Sequence, residues 1–154
     1  MIIGSFSPQG NNAPETDNIR KAIERQGLTF CGTTIKGFMG GYFLHERLPW
    51  SQDDFLYSDL SKDLMVLMSG CIYNRSELTD LCDPDEVIRD PEFVASLFIR
   101  EGPYFVSRLN GDFAIFILQP SLAEAFLFRD HIGIRPMAWT ENAGKFFFSS
   151  DITG

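Results

Sequence analysis

Short and nearly continuous apolar runs recur along this chain, and they predict buried strands. Ile2–Phe6, Leu28–Ile35 and Leu64–Met68 are rich in β-branched and large apolar residues, which at this length favour strands over helices. Strands with so little alternation of apolar and polar residues are buried on both faces of their sheet. The pattern therefore predicts sheets that are covered on both sides.

Further apolar runs predict a second group of strands. These runs are bounded by turn-forming residues and comprise Tyr42–Leu48, Phe113–Leu118, Ala125–Phe128, Pro136–Thr140 and Lys145–Ser149. The segment Gly37–Gly41 is rich in glycine and predicts a hairpin turn or loop before the first of these strands. The strand that begins at Leu64 is expected to stop at Ser69 and Gly70.

Helical spacing is found between the strand groups. Asp17–Gln26 presents apolar residues on one face, which predicts a helix after a loop over Ser7–Thr16. A second helix is predicted to begin at Asp90-Pro91-Glu92, because Asp is a capping residue and Pro suits the first helical position. Two shorter helical segments are predicted at Arg75–Leu81 and Tyr104–Leu109.

The order of these elements favours an α+β fold, because the strands are grouped around clustered helices and do not alternate with them. Two stacked sheets between helix layers would bury the apolar strands on both faces. The chain has 154 residues, of which 44% are hydrophobic and 22% are charged, and this suits one folded domain over residues 1–154.

The charge balance narrows the classes of partner. Lys and Arg total 13 and Asp and Glu total 21, so the net charge of −8 disfavours nucleic acid and anionic membrane surfaces. No apolar run approaches the ~20 residues that span a bilayer, and the N-terminus lacks a signal-peptide core, so a cytoplasmic location is expected.

Cys31, Cys71 and Cys82 lack metal-ligand spacing with His45 and His131, so no metal site is predicted and buried reduced thiols are expected.

Five spaced motifs, taken in order, carry a resemblance to a known family. The segments 109–116, 128–136 and 147–152 read Leu-Asn-Gly-Asp-Phe-Ala-Ile-Phe, Phe-Arg-Asp-His-Ile-Gly-Ile-Arg-Pro and Phe-Phe-Ser-Ser-Asp-Ile. Upstream, His45–Leu48 and Ser69–Leu78 read His-Glu-Arg-Leu and Ser-Gly-Cys-Ile-Tyr-Asn-Arg-Ser-Glu-Leu. Together these motifs resemble the glutaminase domain of asparagine synthetases.

The resemblance implies a fold of the N-terminal nucleophile hydrolase type, a four-layer αββα sandwich with two stacked antiparallel sheets. In that family the domain hydrolyses glutamine and passes ammonia to an ATP-dependent synthetase domain. β-Lactam synthetases and lasso-peptide cyclases are similar but lack the nucleophile. They form an amide with an amine that the substrate already carries.

Several residues depart from the family pattern. Met-Cys-x-Ile-x-Gly becomes Met1-Ile2-Ile3-Gly4, so the nucleophilic Cys, whose own α-amino group is the base, would lie before residue 1. The Asn-Gly pair of the family's oxyanion hole is Ser69-Gly70 here, and the Glu that holds the substrate ammonium is Cys71, which is neutral near pH 7. The resemblance therefore implies a vestigial glutamine pocket without a catalytic residue.

Other positions of the family motifs are retained. Arg47 is similar to the residue that binds the substrate carboxylate, Asp90 to a second ligand of the substrate ammonium, and Asn74 belongs to the same pocket motif. From the residues alone, a paired Arg47 on a strand and a plain helix cap at Asp90 are open alternatives. The retained loop residues are Arg129, Asp130, Gly133 and Pro136. The Arg-Asp pair of this loop is expected to be a structural ion pair that faces no substrate.

Three functions are compatible with this resemblance. The first is a catalytically inactive N-terminal domain of an ATP-dependent amide ligase, acting as the scaffold for a C-terminal synthetase domain of the same polypeptide. ATP and Mg²⁺ would bind to that other domain, and no cofactor is expected in this one. A homodimer is compatible with this function. The second is a standalone binding or regulatory module that reuses the pocket. The third is a true glutaminase whose Met-Cys start lies upstream.

Overall fold

The structure is a computed structural model that describes residues 1–9, 28–45, 49–78 and 89–151, except the side chains of Leu28 and His45. The strands in these ranges are β1 (Ile2–Phe6), β2 (Leu28–Ile35), β3 (Phe38–His45), β4 (Leu56–Asp59), β5 (Leu64–Ile72), β6 (Gly111–Gln119), β7 (Glu124–Arg129), β8 (Ala138–Asn142) and β9 (Lys145–Ser149). The helices are α1 (Arg75–Leu78) and α2 (Asp90–Glu101), with 3₁₀ segments at Gln52–Asp54, Leu60–Lys62 and Gly102–Arg108.

The strands form two antiparallel sheets. Sheet A has the strand order β2-β3-β1-β9-β8, and sheet B has the order β4-β5-β6-β7. β1 lies at the centre of sheet A, where it pairs with β3 on one side and with β9 on the other. The first strand of the chain is therefore held in place by the last strand that the structure describes.

Aromatic side chains between the sheets hold them face to face. Phe116 of β6 stacks on Phe38 of β3 and on Phe148 of β9, with ring centroids 4.9 and 4.4 Å apart. All three rings are buried. Burial of one such side chain contributes about 1.5–3 kcal/mol, so this stack is a main source of adhesion between the two sheets.

The other face of sheet B is covered by α2. Along β5, Leu64, Val66 and Met68 belong to the core that contains α2, whereas Met65 and Leu67 belong to the core between the sheets. From Leu64 to Met68 the strand is apolar because both of its faces are buried, as predicted. The predicted α+β sandwich with two stacked antiparallel sheets is thus confirmed. The helix predicted at Asp17–Gln26 lies outside the described residues.

The glycine-rich segment after β2 belongs to the predicted hairpin, which β2 and β3 form, but most of the segment is strand, so the predicted extent of the turn, Gly37–Gly41, was wrong. Only Lys36 and Gly37 form the turn, and β3 begins at Phe38. A Cβ atom at Gly41 would lie 2.1 Å from the carbonyl oxygen of Cys31 in β2. Glycine is present there because it lets the neighbouring strand approach closely, not because the chain turns.

β5 continues to Ile72, so the predicted stop at Ser69 and Gly70 was also wrong. The ladder to β6 persists through both residues, with Ser69 opposite Ala114 and Gly70 opposite Phe113. Gly70 adopts φ 116°, and a Cβ atom there would lie 1.8 Å from the carbonyl oxygen of Asp112. Glycine allows the ladder to pass through a backbone conformation that other residues rarely adopt.

The remaining differences are one strand that was not predicted, β4, and shifted ends of other elements. The helical segment predicted at Tyr104–Leu109 is a 3₁₀ segment at Gly102–Arg108. β8 begins at Ala138 rather than Pro136, whereas β1, β2 and β9 have the predicted bounds. The helix predicted over Arg75–Leu81 is described only as far as Leu78.

Candidate functional site

A cavity of about 550 Å³ opens between the two sheets beside the start of β1. Its lining comes from both sheets and from the segments around them: Met1, Phe43, Leu44, Trp50, Asp54, Phe55, Ser69, Gly70, Cys71, Tyr73, Asp112 and Arg135. Three predicted pocket residues, Ser69, Gly70 and Cys71, are thus brought together at one wall. Burial, followed by the positive charge of Arg135, lowers the pKa of the Met1 amino group in this cavity.

Ser69 presents a buried hydroxyl group to the cavity. It follows Met65 and Leu67 on the face of β5 that points towards sheet A. The residue is 4% exposed, and its hydroxyl makes no hydrogen bond to any residue in the described ranges. A buried polar group without a partner is costly, so this oxygen is available to a ligand.

Cys71 lies two residues after Ser69 on β5 and is exposed at the cavity, so the expectation of a buried thiol is wrong for this residue. Its thiol lies 3.8 Å from the carbonyl oxygen of Ile72, to which it donates. Partial burial, followed by the nearby charge of Asp90, raises the pKa of the Cys71 thiol. The side chain is therefore a neutral thiol near pH 7, and it offers no negative charge to a substrate ammonium.

Asp90 does not line the cavity, and the alternative that it caps its own helix is wrong. The N-cap residue of α2 is Arg89, and no side chain caps this helix end. The Oδ2 atom of Asp90 accepts the backbone N–H of Ile72 at 2.9 Å, and its Oδ1 atom accepts a guanidinium N–H of Arg75 at 2.8 Å. Both oxygens are thus used to join α2 to the end of β5 and to α1.

Asn74 is also a structural residue of the described chain. Its Nδ2 atom donates to the carbonyl oxygen of Arg108 at 2.9 Å, and its Oδ1 atom accepts the backbone N–H of Asn110 at 2.8 Å. The side chain joins the segment after β5 to the segment before β6. It does not line the cavity.

Three charged side chains of the cavity wall, those of Asp54, Asp112 and Arg135, were not predicted. Asp112 and Arg135 form an ion pair of 3.4 Å, and a hydrogen bond to Asp112 raises the pKa of the Tyr73 hydroxyl. Asp112 and Arg135 both fall at unspecified positions of the family motifs, so the resemblance carries no information about them. Their only signal in the sequence is that each lies beside a residue of a motif.

The loop after β7 is organised by one carboxylate. Asp130 is 3% exposed and accepts the backbone N–H groups of Ile132, Ile134 and Arg135 at 3.1, 2.9 and 2.9 Å. Burial favours the neutral acid, but the N–H donors outweigh it and hold the pKa of Asp130 below its usual value. The predicted pairing with Arg129 is wrong, because no ion pair joins these two described residues.

Two further motif residues complete this loop. Gly133 has φ 74°, so the loop requires a residue that tolerates positive φ at this position. Pro136 follows Arg135 and lies two residues before β8 begins. The motif therefore builds the corner between sheets B and A.

Some predicted residues cannot be placed. Arg47 and Cys82 lie outside the described residues. Within the described ranges, Cys31 is partly buried, and no group of three or more His, Cys, Asp or Glu side chains is arranged to hold a metal ion. Helices of the described part are too short or too polar to cross a membrane.

Comparison with known proteins identifies proteins that are similar in sequence to this chain. A family model described as a glutamine amidotransferase domain matches residues 49–154. Asparagine synthetase [glutamine-hydrolyzing] 2 of Oryza sativa subsp. japonica is 34% identical over 142 residues, which are 87% of this chain and 23% of that protein. The protein of the same name in Bacillus subtilis is 33% identical over 103 residues, or 66% of this chain and 14% of its own. The chain thus spans about a quarter or less of these relatives.

A solved structure supports the fold. Glutamine phosphoribosylpyrophosphate amidotransferase from B. subtilis, complexed with ADP and GMP, matches 97% of this chain and 41% of its own with a TM-score of 0.69. The sequence identity is 16%, so this likeness concerns the fold alone. The family model covers most of the chain. The strands of the chain are arranged as in the solved amidotransferase structure. The chain therefore belongs to the glutamine amidotransferase domain family and is similar in sequence to asparagine synthetases.

Proposed function

We propose that this domain does not hydrolyse glutamine and is the scaffold for the synthetase domain of an asparagine-synthetase-related, ATP-dependent amide ligase. The observation that carries the proposal concerns Cys71 and Asp90, the two positions that resemble the family's ligands of the substrate ammonium. A neutral thiol stands at Cys71, and both oxygens of Asp90 are bonded within the protein. An incoming ammonium group would have to share that carboxylate with the Arg75 guanidinium, whose positive charge repels it.

The nucleophiles of the described cavity are also unsuited to this chemistry. Acyl transfer in this class uses a nucleophile whose own α-amino group is the base. Ser69 and Cys71 lie inside β5, so their nitrogen atoms are peptide nitrogens within the ladder of sheet B. The raised pKa of Cys71 further lowers its thiolate fraction. Neither residue can therefore act as a nucleophile whose own α-amino group is the base.

The scaffold role rests on the relatives. The chain spans 23% and 14% of two proteins named as glutamine-hydrolysing asparagine synthetases. We infer that the natural protein includes a C-terminal synthetase domain, which would hold ATP and Mg²⁺ and form the amide. A ligase whose substrate already carries the amine needs no ammonia, so the glutaminase fold is retained for packing.

The test is ammonia release from L-glutamine, measured with this chain and with the longest natural protein that contains it. We expect no release above the buffer rate in either case. Arg47→Ala and, as a matched control, Arg100→Ala on the exposed face of α2 should both leave this background unchanged. Turnover that Arg47→Ala abolishes and Arg100→Ala does not would overturn the proposal, and it would support a glutaminase with an upstream Met-Cys start.

The intact cavity favours a second candidate, a binding or regulatory module that reuses the glutaminase pocket. A volume of about 550 Å³ is within the range of small-molecule sites. This candidate predicts a complete protein without synthetase activity. Assay of the longest natural protein for ATP-dependent amide formation distinguishes it from the scaffold of a ligase.

A further inference from the structure

The acidic side chains of the cavity are already paired. Among the described residues, Asp54 and Asp112 are the acids that line it. The Oδ1 atom of Asp54 accepts from Arg89 at 3.0 Å, and its Oδ2 atom accepts the backbone N–H of Ser51 at 2.7 Å. Asp112 pairs with Arg135 at 3.4 Å. Each carboxylate thus has its own guanidinium partner.

The carboxylate behind the cavity wall is paired in the same way. Asp90 lies next to Cys71 and is neutralised by Arg75 at 2.8 Å. The Arg75 guanidinium also lies over the ring of Phe93, with its central carbon 5.0 Å from the ring centroid. Contact with this ring fixes the guanidinium on Asp90 and gives it a second favourable interaction. Each of the three described carboxylates is therefore already neutralised by a guanidinium group, which weakens its attraction for the ammonium group of a free amino acid.

Apart from the Met1 amino group and the paired charges, the described wall carries a cluster of aromatic rings. Phe55 stacks on Tyr42 with ring centroids 5.0 Å apart, and Trp50 meets Phe55 edge-on at 6.0 Å. Trp50 is 53% exposed, so much of its ring is free to contact a ligand. The same cavity is lined by Ser69 of β5, a residue that is 4% exposed and whose hydroxyl has no hydrogen-bond partner in the described ranges.

From this arrangement we propose that the cavity binds an uncharged planar group, an aromatic ring carrying an amide or carbonyl, in preference to a free α-amino acid. The ring packs against Trp50 and Phe55, and the carbonyl accepts a hydrogen bond from the Ser69 hydroxyl. This ligand class deepens the proposed loss of glutaminase activity and rests on it. It also differs from glutamine in having no ammonium or carboxylate group.

The test is a two-dimensional NMR titration of the full chain with benzamide and, separately, with L-glutamine. We expect benzamide to shift the amide signals of Ser69 to Cys71 in a saturable way, with a dissociation constant in the millimolar range. Ser69→Ala should weaken benzamide three- to tenfold, as expected for one buried hydrogen bond. Ser58→Ala, on the exposed side of β4, is the matched control and should leave binding unchanged.

Three outcomes would overturn the inference: no saturable shift with benzamide, equal binding by Ser69→Ala and the parent, or L-glutamine binding at least as tightly as benzamide. Unchanged amide spectra outside the cavity show that Ser69→Ala is folded. Glutamine binding without ammonia release would overturn this ligand class and leave the proposed function standing. Ammonia release would overturn the proposed function itself.

Discussion

At the scale of single residues, the sequence reveals substitutions but not the partners that give them meaning. Cys71 in place of an acid is visible in the motif itself. The pairing of Arg75 with Asp90 is not visible, because it joins residues 15 positions apart on different helices. The role of Asp90 was left open between a ligand and a helix cap for the same reason. Its hydrogen bonds depend on how α2 meets the end of β5.

Asp130 is the residue whose charge matters most for stability. Asp130→Asn removes the charge that three backbone N–H groups require, so we expect the free energy of unfolding at pH 7 to fall by about 1–3 kcal/mol. Because the native pKa lies below the unfolded one, this stability is present above the unfolded pKa and is lost as pH falls through the native pKa. Urea unfolding from pH 7 to pH 2 checks this.

The control for this prediction is Asp53→Asn, at an exposed acid in the 3₁₀ segment before β4. It should have a smaller effect at pH 7 than Asp130→Asn. If the difference between parent and Asp130→Asn does not shrink on acidification, the Asp130 charge is not the source of the stability.

Gly70 is the residue whose backbone conformation the strand requires. Gly70→Val should destabilise the fold by more than about 2 kcal/mol, because a Cβ atom would overlap the Asp112 carbonyl oxygen and φ is 116°. Gly144→Ala is the matched control, since Gly144 also has positive φ but nothing lies within 4 Å of its Cβ position. Thermal unfolding of both variants separates backbone strain from steric overlap. Equal losses would contradict the close approach at Gly70.

At the scale of elements, strands whose apolar runs have clear ends in the sequence were predictable. Strands whose extent depends on tertiary contacts were not. β1, β2 and β9 are apolar runs with clear ends, and their bounds were predicted correctly. β3 and β5 extend through glycines that sequence rules assign to turns. Those glycines serve the approach of neighbouring strands, which only the assembled sheet reveals. β4 is held by its ladder to β5 and has little apolar pattern of its own.

The connection between β5 and β6 depends on one amide side chain. Asn74→Ala removes one bond to the carbonyl of Arg108 and one from the N–H of Asn110, so we expect a loss of about 1 kcal/mol, as both bonds are exposed. Asn74→Asp keeps the acceptor but places a carboxylate oxygen against the carbonyl oxygen of Arg108, so its loss should be at least as large as that of Asn74→Ala. Chemical denaturation measures both. A clearly smaller loss at Asn74→Asp would contradict the hydrogen bond that Asn74 donates to Arg108.

At the scale of the whole molecule, the stacked sheets followed from the strand pattern and the family motifs together. The apolar strands required cover on both faces, and α2 and sheet A supply that cover for sheet B. The cavity was predictable only in part. Ser69, Gly70 and Cys71 come from a motif, whereas Trp50, Asp112 and Arg135 are brought to the cavity by the meeting of the sheets and are unspecified in the motifs.

The central place of β1 in sheet A has a consequence for the growing chain on the ribosome. Ile3 pairs with Ser149, so the first strand cannot be enclosed on both sides until the last described strand has been synthesised. At roughly 5–20 residues per second, β1 waits for several seconds or more with one edge and its apolar side chains exposed. The sheet then closes in a late step. Nascent chains shorter than about 150 residues should therefore be the species that chaperones bind and proteases cut most readily.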